Sequence, residues 1–472
     1  MKYVWLCLLF KSFYSYAVFQ TIYTGYKTST VYKSRTLEEE AAFNALDVDL
    51  SQNSWNLSLS SEFEDAFLDS LFSFQAQRTI SQSYGLKISK NTFRYGSFSL
   101  EHSQSHVDIS DWDISSFSST TRDSLFEVRN SLVYSYDIIG NESVLLEEVA
   151  RNEFEFNKKN NDLLRSQENL EFFKAYLNAK LQVFLNKLSK EFKERAQERS
   201  KLIFKRYKDG LSREVEYLQA RSSELNSLQE LEKSESSLKE SVAVIENIIG
   251  RDIPQKYFIA LKWDFKNLQS WIAEIPKREN LERESLKANI ALTLKLLEQF
   301  EKQRSSKLTF SASYTTNAYT DSLSKSFEES TDSPRNDAKS LSLVYTIPFG
   351  SDFSRSKKEK LILDKRRTEL KQLKLMDELK LREKVLMTQL EKFSKAYEYT
   401  VSQVSVSERR VVLQNRLYLK GLGSFDEVIR SEEELLGARS SLYSVLFEYE
   451  TLLGEYAFLN GSLNSLLEIY QD

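Results

Sequence analysis

Apolar and polar residues alternate along several tracts of this chain. The clearest is 308–319 (LTFSASYTTNAY), where Phe310, Ala312 and Tyr314 fall on one face and serine or threonine falls on the other. A period of two is typical of β-strands whose two faces meet different surroundings. The same alternation predicts strands in four further places: 54–62, 81–108 with a turn at Gly96, 126–138 and 341–349.

Two long stretches have a helical pattern instead. Residues 141–209 and 351–420 contain neither glycine nor proline, and apolar residues recur along the predicted helices at spacings of three and four. Such narrow apolar seams favour helices that pair as in coiled coils. Each stretch ends at a Tyr-x-x-Gly turn, at Gly210 or Gly421, where the chain can reverse. We predict four long helices: 141–207, 212–250, 351–418 and 425–465.

The order of strands, long helix, glycine turn and returning helix occurs twice. Gly140 and Gly350, which precede the long helices, are 350 − 140 = 210 residues apart, and the two turn glycines are 421 − 210 = 211 residues apart. This spacing predicts an internal duplication. The predicted segments are a first repeat at 18–250, a connector at 251–280, a second repeat at 281–465 and a C-terminal tail at 466–472.

The N-terminus predicts export. An apolar run from Val4 to Phe10 precedes a small-x-small site that ends at Ala17, so we expect a signal peptide at 1–17. Cys7, the only cysteine, lies inside this segment. The exported chain would therefore have neither a disulfide nor a thiolate metal site.

Composition and motifs narrow the function classes. The net charge is −4, and basic residues are interspersed with acidic ones, which argues against nucleic acid as a partner. No segment reaches the roughly 18–20 apolar residues of a transmembrane helix, so a membrane-spanning form would have to be a β-barrel. No motif predicts an enzyme or a cofactor. His102 and His106 lie in strand or loop sequence, where we expect solvation rather than metal binding.

These elements together resemble the TolC-like outer membrane efflux protein family. The most specific matches are the turns 206–211 (RYKDGL) and 418–423 (YLKGLG), the junction 345–350 (YTIPFG) and the segment 459–463 (LNGSL). The resemblance covers about 126–465. It implies an α+β membrane protein and a homotrimer, in which each protomer supplies about four strands, or more, to a β-barrel. That barrel would lie in the outer membrane of a Gram-negative cell, in contact with lipid, and a barrel of long coiled-coil-like helices would continue it through the periplasm.

The resemblance also assigns roles near the two glycine turns. An electronegative constriction would include Glu216, Asp426 and Glu427, and a ring of carboxylates favours cations. Arg430 is an i,i+3 neighbour of Glu427 and can neutralise it. Each acid has a simpler interpretation, because a negative side chain near a helix N-terminus stabilises the helix dipole. The turn tips would dock a periplasmic adaptor protein, through Tyr207, Lys208, Gly210, Leu211, Tyr418, Lys420, Gly421 and Leu422.

The function that the resemblance implies is a passive exit duct. It would work with the adaptor and with an inner-membrane transporter of the RND, ABC or MFS class, in a tripartite efflux pump or a type I secretion system. Two alternatives stay open. One is an exported periplasmic coiled-coil scaffold without channel activity, and the other is adhesion through the predicted surface loops at 109–124 and 320–337.

Overall fold

The computed structural model describes most of the chain. It covers residues 19–470 apart from 52, 68–75, 113–123, 141–142, 254–271, 273–274, 304, 332–335 and 348–351. The predicted signal peptide and most of the predicted connector lie outside the described residues. The chain forms two compact units: the first comprises the described residues of Met1–Glu40, Asn157–Lys287 and Leu370–Asp472, and the second those of Ala41–Phe156 and Ala288–Glu369.

Helices and strands occupy most of the described residues. The helices are α1 at 19–27, α2 at Thr30–Ser51, α3 at Ser143–Lys208, α4 at Glu214–Ile249, α5 at Leu281–Gln303, α6 at Leu323–Thr331, α7 at Asp352–Leu419, α8 at Phe425–Leu459 and α9 at Leu463–Ile469. The strands are β1 at Trp55–Phe67, β2 at Ala76–Thr92, β3 at Gly96–Trp112, β4 at Ser124–Ile139, β5 at Lys307–Thr320 and β6 at Asn336–Thr346. Among the described helices, none is both long and apolar enough to cross a membrane.

The strands form one antiparallel sheet in chain order, from β1 at one edge to β6 at the other. The sequence predicted about four strands or more, and this sheet has six. The larger number arises because 54–62 falls in one strand, while 81–108 falls in two strands joined by a turn at 93–95. The sheet therefore has two strands more than the lower figure of four that the resemblance implied.

The two faces of the sheet differ in chemistry. One face carries exposed apolar side chains on all six strands, among them Trp55, Leu57, Leu59, Tyr84, Leu100, Leu132, Tyr134, Tyr314, Leu341 and Leu343. The opposite face is rich in serine and threonine. There, Ser311 and Ser313 on β5 hydrogen-bond to Ser342 and Ser340 on β6, with Oγ–Oγ distances of 2.6 and 2.7 Å. The sheet thus separates an apolar surface from a polar one.

The two predicted surface loops are described only in part, since 113–123 and 332–335 lie outside the described residues, and the described parts contain regular structure. At 109–124, β3 continues to Trp112 and β4 begins at Ser124. At 320–337, residues 323–331 form α6, which lies on β4 and β5. One contact there is a hydrogen bond from Ser326 Oγ to the Phe126 carbonyl at 2.8 Å. Short serine side chains on one side of α6 allow this close contact with the sheet.

The two histidines are strand residues with protein partners, which differs from the solvated loop that the sequence suggested. His102 Nδ1 lies 2.5 Å from Asn130 Oδ1 on β4. The ring of His106 stacks on Phe126 with centroids 4.2 Å apart. Both side chains lie on the same face as the apolar side chains of the sheet.

The apolar core of the first unit lies where α1, α3, α4, α7, α8 and α9 meet. Its largest fully buried side chains are Phe19, Tyr26, Phe172, Phe173, Tyr176, Leu177, Ile245 and Tyr449. Tyr26 and Phe172 stack with ring centroids 4.4 Å apart. Full burial of an aromatic or aliphatic side chain of this size contributes about 1.5–3 kcal/mol. The short N-terminal helix is thereby fixed to the long helices.

The end of the chain differs from the prediction. The helix predicted at 425–465 ends at Leu459, since Gly461 has a φ of +62° and the Ser462 amide donates back to the Ala457 carbonyl at 2.9 Å. A separate helix, α9, follows, and its Leu466 and Leu467 are fully buried. The predicted tail at 466–472 therefore begins inside the core.

Candidate functional site at the two helix turns

The turns that follow α3 and α7 share one backbone geometry. The Leu211 amide donates across the first turn to the Arg206 carbonyl at 2.8 Å, and the Leu422 amide bonds to the carbonyl five residues earlier at 3.0 Å. Between them, Gly210 and Gly421 have φ values of +71° and +75°. This is the Schellman arrangement, in which glycine is favoured because it adopts positive φ without steric strain.

An apolar cluster joins the two turns. Its buried members are Ile203, Ala220 and Phe425, and its partly buried members are Tyr217, Tyr418 and Ile429. The rings of Tyr418 and Phe425 lie 5.4 Å apart, and the Arg206 guanidinium lies 5.5 Å from the centre of the Tyr418 ring. Tyr418, predicted from the sequence as a docking residue, therefore packs between the turns.

The remaining predicted tip residues are exposed to different extents. Leu211 and Leu422 occupy matching places after the turn glycines and are 77% and 75% exposed. Tyr207 is 37% exposed and stacks on Tyr217 with centroids 5.7 Å apart. The two predicted lysines, Lys208 and Lys420, are exposed, and the Lys208 ammonium lies 4.5 Å from the centre of the Phe204 ring. The two leucines are thus the tip residues most available to a partner.

The acidic residues after the second turn lie at the start of α8. Arg430 Nη2 is 2.9 Å from Asp426 Oδ2, so Arg430 forms its ion pair with Asp426. The sequence had suggested Glu427 as the partner of Arg430, and that expectation was wrong. The Glu427 amide donates to Ser424 Oγ at 3.2 Å, which caps the helix. Among the described residues, the Glu427 carboxylate has no ion-pair partner, and it is exposed. The start of α8 thus carries one carboxylate that has no ion-pair partner among the described residues.

Glu216 occupies the corresponding place at the start of α4. Its carboxylate accepts a hydrogen bond from Ser212 Oγ at 2.5 Å, and the residue is half-buried. Acids in the first turn of a helix stabilise the helix dipole. This stabilisation acts at Glu216 and Glu427 whatever further role they have.

A buried polar layer lies beside the turns, and sequence reasoning did not find it. Arg199 on α3 donates to Glu432 on α8 and, at 3.0 Å, to Ser223 Oγ on α4. The Arg199 and Glu432 side chains are only 9% and 10% exposed. Glu432 falls between Val428 and Leu435 in the buried stripe of α8, and this charge at an apolar position was the available signal.

A second acid in this layer, Glu224, has a shifted pKa. Burial, the largest single influence, raises the pKa, but hydrogen bonds from Ser200 and Arg221 and the positive charges of Arg221 and Lys201 together hold it below its usual value. Arg221 Nη1 lies 2.7 Å from Glu224 Oε2. Charge-assisted hydrogen bonds of this kind favour the ionised carboxylate.

No protein-family profile matches this chain, and no curated protein matches it either. Solved structures do match. The outer membrane protein VceC of Vibrio cholerae is 13% identical with a TM-score of 0.67, over 94% of this chain and 96% of VceC. The CmeC outer membrane channel of Campylobacter jejuni is 12% identical with a TM-score of 0.68, over 96% of this chain and 89% of CmeC.

The MtrE outer membrane channel of Neisseria gonorrhoeae, solved in its open state, matches in the same way. It is 12% identical with a TM-score of 0.65, over 94% of this chain and 89% of MtrE. The chain therefore has the fold of these outer membrane channels. For the single chain, this confirms the combination of long helices and one antiparallel sheet that the resemblance implied.

Proposed function

We propose that this chain belongs to the TolC-like family and is an outer membrane channel that extends into the periplasm. The observation that carries the proposal is the likeness in fold to VceC and CmeC, which extends over 94% and 96% of this chain. Those shares are too large for the likeness to rest on the sheet or on the helices alone. The proposed role is a passive exit duct rather than an enzyme.

The chemistry of the sheet supports insertion into a bilayer. Exposed apolar side chains on one face and serines on the other suit lipid outside and water inside. An open sheet edge in lipid would leave backbone groups without hydrogen bonds, so the sheet has to close through other copies. The proposed assembly is a homotrimer with a β-barrel, continued by a barrel of long helices.

An internal duplication is part of the proposal. Helices α3 and α7 have 66 and 68 residues, and α4 and α8 have 36 and 35. The turns between the helices of each pair have the same hydrogen-bond pattern. Nearly equal lengths and matching turns are what two copies of one ancestral unit would retain.

The turns are the proposed periplasmic gate. In a trimer, Glu427 would contribute three carboxylates around the opening, and such a ring favours cations. Asp426 adds little net charge because Arg430 neutralises it. Glu216 is the corresponding acid of the first turn.

The exposed leucines at the turns support docking of a periplasmic adaptor. Leu211 and Leu422 are apolar side chains exposed at matching positions of the two turns. This arrangement suits a partner that binds two similar surfaces. An inner-membrane transporter of the RND, ABC or MFS class would supply the energy. The complete system would be a tripartite efflux pump or a type I secretion system.

Fractionation of expressing cells tests the proposal. The protein should sediment with the outer membrane and should migrate as a trimer after extraction in mild detergent. Recovery mainly as a monomer in the soluble periplasmic fraction would contradict a channel and would favour the scaffold.

A further inference from the structure

Within the part of the chain that the structure describes, the strands at the two edges of the sheet, β1 and β6, each pair with a neighbouring strand on one side only. On β1, every residue from Trp55 to Asp65 is exposed, and so is every residue from 337 to 346 on β6. We propose that β1 of one copy pairs with β6 of the next, so that three copies close a sheet of 3 × 6 = 18 strands. This inference rests on the proposed trimeric channel and adds the seam between its copies.

The two edge strands fit each other in direction and length. Neighbours in the sheet are antiparallel, so β6 runs opposite to β1 and can continue the same antiparallel order. The strands have 13 and 11 residues. Strand addition at an exposed edge supplies hydrogen bonds to backbone groups that otherwise have none.

The apolar face restricts the register. Odd-numbered residues of both edge strands lie on this face, including Leu57 and Leu59 on β1 and Leu341 and Leu343 on β6. A slip of one residue would move every side chain of a strand to the other face. Odd residues of β1 therefore lie opposite odd residues of β6.

The strand ends set the size of the shift. Starting from Trp55, the successive same-face partners are Lys90, Phe98, Tyr134, Ala312 and Leu341. At the end of the sheet where β1 begins, β6 runs 346 − 341 = 5 residues beyond Leu341. If the strand ends of neighbouring copies lie at the same height in the membrane, the pairing of β6 with β1 of the next copy is shifted by about five residues. Because odd residues of β1 lie opposite odd residues of β6, the shift has to be an even number, which leaves four or six.

Strand tilt decides between these two values. A shift of six residues over six strands gives a tilt of about 35°, at about 3.3 Å per residue and about 4.8 Å between strands, whereas a shift of four gives about 25°. Barrel strands tilt by about 35–45°. The shift of six places Leu343 opposite Leu59 of the next copy and Tyr345 opposite Leu57.

The same register matches the polar face. Ser342 lies opposite Ser60 of the next copy and is already bonded to Ser311 on its other side, so the serine row continues across the seam. If β1 and β2 lay outside the barrel, β3 would be the strand at the seam instead. However, β3 is paired along its whole length with β2, so β3 does not offer an open edge. A closed sheet of eighteen strands would be roughly 1.5 times as wide as one of twelve.

Cysteine pairs test the seam in the full-length protein in outer membranes. Leu59→Cys with Leu343→Cys is the predicted pair, and the only natural cysteine, Cys7, lies in the predicted signal peptide. The matched controls are Leu57→Cys with Leu343→Cys, shifted by two residues, and Leu100→Cys with Leu343→Cys, which reports a seam at β3. Copper–phenanthroline or a short bismaleimide forms the cross-link, and non-reducing gels report its size.

The predicted pair should give a covalent trimer, at least about fivefold more than either control, because disulfides form only at close Cβ distances. Three results would overturn this seam. The first is a covalent trimer from the Leu100 pair, and the second is an intrachain cross-link. The third is the absence of a cross-link from the Leu59 pair in a trimer that conducts ions. A protein that is neither trimeric nor conducting would overturn the proposed function itself.

Discussion

The ring of Phe173 on α3 lies against the backbone of Gly454 on α8, and a β-carbon at position 454 would stand 2.8 Å from Phe173 Cδ1. Gly437, on the same helix, has nothing within 4 Å of such a carbon. Both are helical glycines in one element. Gly454 permits a close approach of two helices, whereas Gly437 does not.

Replacing each glycine with alanine should therefore give effects of opposite sign. Gly454→Ala should lower the free energy of unfolding by about 1–3 kcal/mol, since the added methyl group overpacks the contact with Phe173. Gly437→Ala should raise it by about 0.5–1 kcal/mol, because alanine is the better helix former. Denaturant unfolding followed by circular dichroism measures both, and equal effects would show that Phe173 is not the cause.

A buried ion pair in the core of the first unit gives a second prediction. Lys180 Nζ on α3 lies 3.1 Å from Glu450 Oε1 on α8, with side chains 5% and 2% exposed. Lys180→Met should cost about 3–5 kcal/mol, because it leaves a buried carboxylate without its lysine.

The control for this pair is the double variant Lys180→Met, Glu450→Met. It should lie much closer to the wild type, since burial of two apolar side chains replaces burial of two charges. Denaturant titration of the wild type, the two single variants and the double variant measures the coupling between the residues. A double variant as unstable as the single one would mean that the lysine stabilises the core by packing and not by neutralising Glu450.

The lowered pKa of Glu224 predicts an acid dependence of stability. The unfolded chain takes up the proton at a pKa of about 4.3, whereas the folded protein takes it up only at lower pH. The stabilisation is therefore present above about pH 4.3 and is lost as the pH falls through the folded pKa. The free energy of unfolding of Glu224→Gln should fall less than that of the wild type between about pH 5 and pH 3. Equal falls in the two proteins would show that Glu224 does not cause the acid dependence.

The Glu427 carboxylate, which has no ion-pair partner in the described part of the chain, predicts the ion preference of the proposed channel. Glu427→Gln should shift the reversal potential in a KCl gradient toward that of a less cation-selective pore, since it removes three charges from the trimer. The double variant Asp426→Asn, Arg430→Gln removes an ion pair without net change and should leave the potential almost unchanged. If both variants shift the potential equally, Glu427 does not lie at the constriction.

Local patterns in the sequence predicted much of the fold. The strands alternate because their two faces differ, and the two longest helices, α3 and α7, contain neither glycine nor proline. The predicted strand count was about four or more, because alternation predicts strands but does not show which of them pair in one sheet. The sequence does not show which of Gly437 and Gly454 contacts another helix, because that contact depends on Phe173, which is far away in sequence.

The candidate site was predictable only in part. The turns after α3 and α7 were visible through Gly210 and Gly421, since positive φ favours glycine. The contact of Arg199 with Glu432 was not, because the two residues are 233 positions apart and no short motif links them. Asp426, rather than Glu427, pairs with Arg430 because it lies one helical turn away, at i,i+4.

Conductance of the purified trimer in a planar bilayer tests the central claim most directly. A duct should give discrete, stable current steps that favour cations, and the steps should scale with the number of trimers inserted. A folded trimer that binds the bilayer and produces no current steps would contradict the channel and leave the scaffold as the better account.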